Sequence, residues 1–471
     1  MVIGTIADTL GRGVEGVTSA VSEAFFEPVI RLGVTGLARS GKTVFITSLV
    51  ANLLERGRMP GLEAARSGRI EAAFLQPQPD DTVPRFAFEE HLAAMTGTEP
   101  RWPDSTRAVS ELRLSLRVRP SGLLGAVSGP RTVHLDIVDY PGEWLLDLAL
   151  LDLDFEAWSR EALARAEARR DGLAGPWFAA LDAADPSAKL DEPTATALAR
   201  GWTAYLAAAR EAGFSDCTPG RFLLPGDLEG SPALTFAPLP PGPAPRGSLT
   251  REFARRYEAY KREVVKPFFR AHFARIDRQV VLVDALGAIH SGPQALEDLR
   301  RAMASILGAF RPGRNTFLSA ILGRRVDRIL FAATKADHLH HEQHGRLQAV
   351  IEALLADARR RADFQGATTR AMAIASLRAT VEETRRVNGA EMGLVRGRLL
   401  RDGRQAALHP GDLPEDPSAL LAPAREGAAT WLSGDYGVMH FAPTPQSLRA
   451  GEGPPHIRLD RAAEFLIGDR L

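Results

Sequence analysis

Gly33-Val34-Thr35-Gly36-Leu37-Ala38-Arg39-Ser40-Gly41-Lys42-Thr43 is the stretch on which the reading of this chain turns. From Gly36 to Thr43 it fits G-x-x-x-x-G-K-[ST]. The apolar run at 29–35 reads as a buried strand, and 44–54 reads as a helix. Strand, glycine loop, Lys-Thr and helix in that order define a phosphate-binding loop. The glycines let backbone N–H groups curl around an anion, and the helix N-terminus adds a favourable dipole. The expected phosphate contacts are Gly36, Ala38, Arg39, Ser40, Gly41, Lys42 and Thr43. In such a loop the lysine, Lys42, reaches the terminal phosphates, and the hydroxyl of Thr43 ligates Mg²⁺.

Composition limits what else the chain does. Its 471 residues exceed one ordinary core, so two or three domains are expected. Lys+Arg and Asp+Glu both number 58, so there is no global basic field to recruit nucleic acid. No nucleic-acid partner is expected. Cys217 is the single cysteine, which excludes a disulfide framework and a cysteine-based zinc site. With no run of transmembrane length and no signal-peptide pattern, the protein is expected to be cytoplasmic.

Outward from the loop, residues 4–25 repeat apolar side chains at helical steps, from Ile6 to Phe25. Their polar face carries Asp8, Glu15 and Glu23 against Arg12, so packing on the protein body is preferred over contact with a membrane or partner. Residues 56–100 read as a long excursion with a short helical piece near 86–95. Residues 108–119 and 132–138 alternate and read as an antiparallel pair joined by a glycine turn at 122–129. The second run feeds into Asp139-Tyr140-Pro141-Gly142-Glu143. There the Asp139 carboxylate is expected to hold Mg²⁺, and the Gly142 N–H to contact the γ-phosphate.

Residues 144–270 are mostly helical and read as an inserted helical domain, with a core stripe of Phe253, Tyr257, Tyr260, Val264 and Phe268 on one helix over 251–273. A strand at 279–285 follows. The next, at 327–333, ends in Thr334-Lys335-Ala336-Asp337. An Asp337 carboxylate accepts from guanine N1–H and N2–H₂, a donor pair that adenine lacks. Lys335 would lay its stem along the base. His340 and His344, four apart, are a conceivable metal pair, although a solvated loop is the preferred reading. Residues 371–378 read as the last strand of this unit, whose Ser376 and Leu377 would offer backbone N–H groups to the base. A hairpin about Asp402-Gly403, a strand at 437–441 and a helix at 461–466 complete the chain.

The order of these motifs resembles the Ras-like GTPases. It resembles more closely the bacterial YcjX family, through Gly-Leu-Ala-Arg-Ser-Gly-Lys-Thr at 36–43, Trp-Pro-Asp-Ser-Thr at 102–106, Asp-Tyr-Pro-Gly-Glu-Trp at 139–144, Thr-Lys-Ala-Asp at 334–337 and His-Ile-Arg-Leu-Asp-Arg at 456–461. The resemblance implies an α/β fold: a Ras-like P-loop NTPase domain with a mixed, mostly parallel sheet flanked by helices and an inserted α-helical domain. It divides the chain into an N-terminal amphipathic helix (1–27), a first part of the G domain (28–143), the helical insertion (144–270), a second part of the G domain (271–390) and a C-terminal hairpin, strand and helix (391–471). It also implies GTP and GDP as ligands, Mg²⁺ as cofactor, slow hydrolysis, a switch role in the stress response and an unidentified protein partner.

Thr106 is the expected switch threonine and third metal ligand, with Ser105 its near rival. Three departures from a Ras-like pattern matter. Thr334 stands where Asn is usual. Glu143 stands where many GTPases place a water-orienting Gln, and its charge would repel the γ-phosphate. The helical insertion follows Asp-x-x-Gly, whereas in Gα subunits it precedes the second strand. Lys42, Glu143 and Thr106 are the expected catalytic set, and Arg101 or Arg39 a candidate finger in cis. The rival readings are an ATPase or kinase without guanine preference, and a nucleotide-dependent scaffold with negligible turnover.

Overall fold

A computed structural model describes residues 27–36, 40–104, 108–121, 129–169, 172–309, 326–356, 367–387, 389–428, 440–446 and 448–471. The expected N-terminal helix, the glycine turn at 122–128 and most of the strand at 437–441 lie outside the described residues.

The apolar runs become strands of one seven-stranded sheet in the order β2-β3-β4-β1-β5-β6-β7. These are β1 (Val29–Gly36), β2 (Ile70–Gln76), β3 (Ser110–Val118), β4 (Arg131–Asp139), β5 (Arg278–Val283), β6 (Arg328–Ala333) and β7 (Thr368–Ala373). Strands β4, β1, β5, β6 and β7 run parallel, while β3 is antiparallel to β4 and β2 to β3. A parallel sheet needs both faces covered, so its strands carry apolar side chains on both sides. In β5, Val280 and Leu282 join one buried cluster with helix α1 (Lys42–Glu55), while Val281 and Val283 join another on the opposite face.

The stretch taken as an excursion contains strand β2 and, after it, helix α2 (Phe88–Thr96). Strand β2 extends the expected antiparallel pair at the sheet edge. Between β4 and β5 the chain is helical: α3 (Gly142–Leu146), α4 (Phe155–Glu167), α5 (Gly175–Asp182), α6 (Glu192–Glu211), α7 (Leu249–Tyr260) and α8 (Lys266–Ala271). The helix expected over 251–273 is not uniform. A π-helical turn, Lys261–Val265, separates α7 from α8. It stands just before Pro267, whose ring cannot donate the N–H that an α-helical turn requires. Phe253, Tyr257 and Tyr260 are fully buried, as the stripe predicts. They share one continuous apolar cluster with Trp158, Trp202 and the β5–β6 face, so these helices pack directly on the sheet.

After β5 come α9 (Ala285–Ser291) and α10 (Pro293–Ala309), and after β6 comes α11 (His344–Leu354). Beyond β7 a second, four-stranded sheet is built from β8 (Thr380–Val387), β9 (Ala390–Leu399), β10 (Gln405–Leu408) and β11 (Phe441–Ala442). The turn between β9 and β10 contains Gly403 at φ 71°, the left-handed conformation expected of Asp402-Gly403. Helix α12 (Ser418–Glu426) packs against α10, and α13 (Leu459–Ile467) packs against β5 and β6.

Candidate nucleotide site

Strand register brings the sequence motifs to one edge. Val34 pairs with Asp139, Gly36 with Leu282, Val283 with Ala333, and Ala333 with Ala373. The loops after β1, β4, β5, β6 and β7 therefore all leave from the carboxyl ends of parallel strands, where open α/β sheets bind ligands.

The loop after β1 closes tightly. A side chain at Gly36 would bring a Cβ 2.3 Å from Ser40 Oγ and 2.7 Å from the Leu282 carbonyl oxygen. Gly41 takes φ 82° at the start of α1, a conformation that glycine adopts without strain. Lys42 is buried and its Nζ donates to the Gly36 carbonyl at 3.0 Å, so the ammonium crosses the mouth of the loop. Thr43 is buried in the first turn of α1. Ser40 Oγ is buried and has no hydrogen-bond partner among the described residues. Leu37, Ala38 and Arg39 lie outside the described residues, as do Ser105 and Thr106.

Asp139 ends β4 with 1% of its surface exposed. Beside it, the Tyr140 hydroxyl donates to Gln279 Oε1 at 2.9 Å, which locks the strand end to β5. Gly142 opens α3, and Glu143 in its first turn is buried. A cavity of about 270 Å³ is lined by Ser40, Glu143, Asp284, Lys335 and the segment Gly213 to Ser215. The helical stretch thus meets the phosphate loop across a shared cavity.

Two acidic residues flank the loop after β6. Asp284, just after β5, accepts the Gly287 N–H at 3.0 Å and pairs with the Lys335 ammonium. Lys335 adopts φ 61°, and its head is held by that carboxylate. Asp284 is the residue that motif reading missed. Its one signal was a carboxylate ending a buried apolar run. The Thr334 N–H and hydroxyl both donate to the Val283 carbonyl, at 3.0 and 3.3 Å, which ties this loop to the end of β5. Asp337 is 4% exposed; its Oδ2 accepts the Ala379 N–H at 2.9 Å, and its carbonyl accepts the Thr380 hydroxyl. Ser376 and Leu377 are buried in the same β7–β8 connection.

The small sheet touches two of these loops. Its strand β8 starts at Thr380, which holds Asp337. Across the sheet, Arg398 Nη2 donates to the carbonyls of Pro100 and Pro443 at 2.9 and 3.0 Å, and Trp102 Nε1 donates to the Phe441 carbonyl at 2.7 Å. Residues 100–102, a few residues before Thr106, thus rest on the same sheet that holds Asp337. Arg101 is exposed, and its backbone N–H donates to Ala94 O at 2.8 Å.

The His340–His344 pair is not a metal site. His344 Nε2 donates to Ala336 O at 2.8 Å and its Nδ1 faces Arg458 Nη1 at 3.3 Å, so both ring nitrogens are engaged. Burial also lowers the His344 and His338 pKa values. Among the described residues no helix is long and apolar enough to cross a membrane.

Mg²⁺ fits the donor set at the phosphate loop. Thr43 offers a hydroxyl and Asp139 a buried carboxylate, both hard oxygen donors, and the buried Ser40 hydroxyl has no hydrogen-bond partner among the described residues.

Sheet, glycine loop, Lys-Thr and strand-end aspartate give this α/β protein a P-loop NTPase-like fold. Residues 30–471 match the YcjX-like family, DUF463. A protein of Escherichia coli (strain K12) named Ras-like GTPase YcjX is 40% identical over 455 residues, spanning 94% of this chain and 96% of that protein. A protein of the same name from Shewanella oneidensis is 34% identical over 468 residues, 94% of each chain. The chain belongs to the YcjX-like family.

Proposed function

We propose that this protein is a Ras-like GTPase that binds GTP and GDP, hydrolyses GTP slowly with Mg²⁺, and acts as a nucleotide-dependent switch in the bacterial stress response. The observation that carries the reading is the convergence of the phosphate loop, Asp139 and Asp337 on the carboxyl ends of neighbouring parallel strands. The names of its relatives, Ras-like GTPase YcjX, support the guanine nucleotide.

In this reading Lys42 and the Gly36–Lys42 backbone neutralise the β- and γ-phosphates. Thr43, Thr106 and Asp139 hold Mg²⁺, which supplies further charge neutralisation when bound. Gly142 donates its N–H to the γ-phosphate. Glu143, buried against the cavity that Ser40 lines, positions the attacking water. Its carboxylate also repels the γ-phosphate, which keeps turnover slow. Asp337, with Thr334, Lys335, Ser376 and Leu377, receives the guanine. Its second function is mechanical, because the small sheet links it to residues 100–102. The helices of 144–270 act as an inserted domain over the nucleotide.

The test is phosphate release from GTP with Mg²⁺ by wild type, Lys42→Ala and Glu143→Ala. Glu143→Ala is expected to lower kcat by at least about tenfold, within the range of general acid–base groups, with GDP affinity near normal. Lys42→Ala is expected to lose nucleotide binding. Turnover unchanged in both variants would contradict the proposal.

A further inference from the structure

The turn that leads into α11 gathers side chains that the nucleotide reading does not use. His340 is extended and precedes a single 3₁₀ turn, His341–Gln343, in which the Gln343 N–H donates back to His340 O at 2.9 Å. So tight a turn sets consecutive side chains beside one another. The imidazoles of His340 and His341 lie 4.3 Å apart between ring centres. One donor atom from each of His340, His341 and Glu342 lies within 4.8 Å of the other two. Glu382, on the neighbouring strand β8, closes the group from the side of the small sheet.

His340 is the fixed member. It is 6% exposed, and its ring lies against β9 at Gly393, where a Cβ would come within 2.6 Å of the ring. A glycine inside a strand often marks such a close approach. His340 Nδ1 is enclosed and makes no hydrogen bond among the described residues, although Glu342 Oε2 stands 3.3 Å away. Leaving a buried polar atom unsatisfied is costly, and a metal ion would engage this nitrogen and the carboxylate together.

Glu382 decides which ring nitrogens are left over. His341 Nδ1 donates to Glu382 Oε2 at 2.6 Å, which fixes the tautomer whose Nε2 keeps a free lone pair. The same oxygen faces His340 Nε2 at 4.0 Å, leaving Nδ1 on the side of Glu342. The other oxygen, Oε1, accepts from Arg378 Nη2 at 3.2 Å. A carboxylate behind an imidazole is the arrangement that orients metal-binding histidines. The side chains of His341 and Glu342 are 64% and 73% exposed, so water can reach the site and complete the coordination.

We propose that His340, His341 and Glu342 bind a Zn²⁺ ion, with Glu382 positioning the two imidazoles. Two imidazole nitrogens and one carboxylate oxygen, with a fourth position open to water, are a donor set that suits Zn²⁺. They do not suit Mg²⁺ or Ca²⁺, which take oxygen ligands. The ion would brace the turn that follows Asp337 against the small sheet, because Thr380, two residues before Glu382 on β8, donates to the Asp337 carbonyl. The site does not depend on the nucleotide assignment.

The test uses the full chain without an affinity tag, stripped of metal by a chelator and held in excess Mg²⁺ so that the phosphate loop is not what is measured. Titration calorimetry is expected to show saturable uptake of one Zn²⁺ per chain at micromolar concentration, with a rise in melting temperature. Co²⁺ put in its place should give the intense visible bands of a four-coordinate ion. Zn²⁺ affinity should fall at least about tenfold in His341→Ala and in Glu342→Gln. Both side chains are exposed, and unchanged melting without metal shows that these variants fold. Glu382→Gln should weaken Zn²⁺ by about 10–100-fold while the Co²⁺ bands stay four-coordinate, since the ligands themselves remain. Three results would overturn the site: no saturable Zn²⁺ uptake, uptake unaffected by His341→Ala and Glu342→Gln, or a six-coordinate Co²⁺ spectrum in the wild type. An unchanged affinity in Glu382→Gln would overturn the positioning role.

Discussion

Replacing Asp147 by asparagine should remove a pH dependence of stability that arises close to Glu143. Asp147 follows α3 by one residue, four after Glu143, and its carboxyl is fully enclosed. Oδ1 accepts the Gly220 N–H at 2.7 Å, and Oδ2 accepts the Tyr260 hydroxyl at 2.5 Å. Burial pushes the carboxyl up to about 7 from an ordinary 3.8, against the pull of those two hydrogen bonds. The folded protein therefore keeps this proton where the unfolded chain has lost it. Stability from this group is greatest below pH 4, falls as the pH rises towards 7, and is level above that. A rise of about three pH units, at about 1.36 kcal/mol each, corresponds to on the order of 4 kcal/mol. Urea unfolding of wild type and Asp147→Asn between pH 5 and 8 measures it. The wild type should lose stability relative to the variant across pH 5–7, by a few kcal/mol. Parallel curves would refute the buried-carboxyl reasoning.

Three shorter predictions follow from the same geometry. Gly36→Ala should destabilise the fold by about 1–3 kcal/mol in urea unfolding, because its Cβ meets backbone at Leu282 and cannot relax cheaply. Arg398→Ala should speed amide exchange in residues 97–104 by about fivefold per hydrogen bond of about 1 kcal/mol, with β1 and β5 unchanged. Addition of Zn²⁺ should not stabilise the protein through His344, so His344→Ala should leave any Zn²⁺-induced shift in melting temperature unaltered.

The interior parallel strands were legible because burial on two faces leaves near-continuous apolar runs, as in β1, β5 and β6. Strand β2 was not. Its sequence Ile-Glu-Ala-Ala-Phe-Leu-Gln has no clean alternation, its register slips between Ile70 and Ala72, and Phe74 is 40% exposed at the sheet edge. Strand β8 reads as polar because it carries Thr-Val-Glu-Glu-Thr-Arg-Arg-Val, and its charges are answered partly across the sheet, as in Glu383 with Arg396, and partly by neighbours such as Arg385 and His341. The π-turn before Pro267 breaks a helix whose apolar period runs unbroken through it. At the candidate site, Lys42, Asp139 and Asp337 could be singled out because each belongs to a short motif at or just after a strand: Lys42 opens the helix after β1, Asp139 ends β4, and Asp337 lies four residues past β6. The Asp284–Lys335 pair was not, since its partners are 51 residues apart and meet only because β5 and β6 are neighbours. The hold of the small sheet on Asp337 and on residues 100–102 is likewise a contact between distant segments.

The most direct test of the central claim is nucleotide affinity with Mg²⁺, comparing GTP and GDP with ATP on wild type and Asp337→Ala. The account predicts a strong preference for guanine nucleotides that the substitution removes, because a site built for paired hydrogen bonds rejects a base that lacks them. Equal binding of ATP and GTP, untouched by the substitution, would contradict it and make Thr334–Asp337 an ordinary strand-end loop.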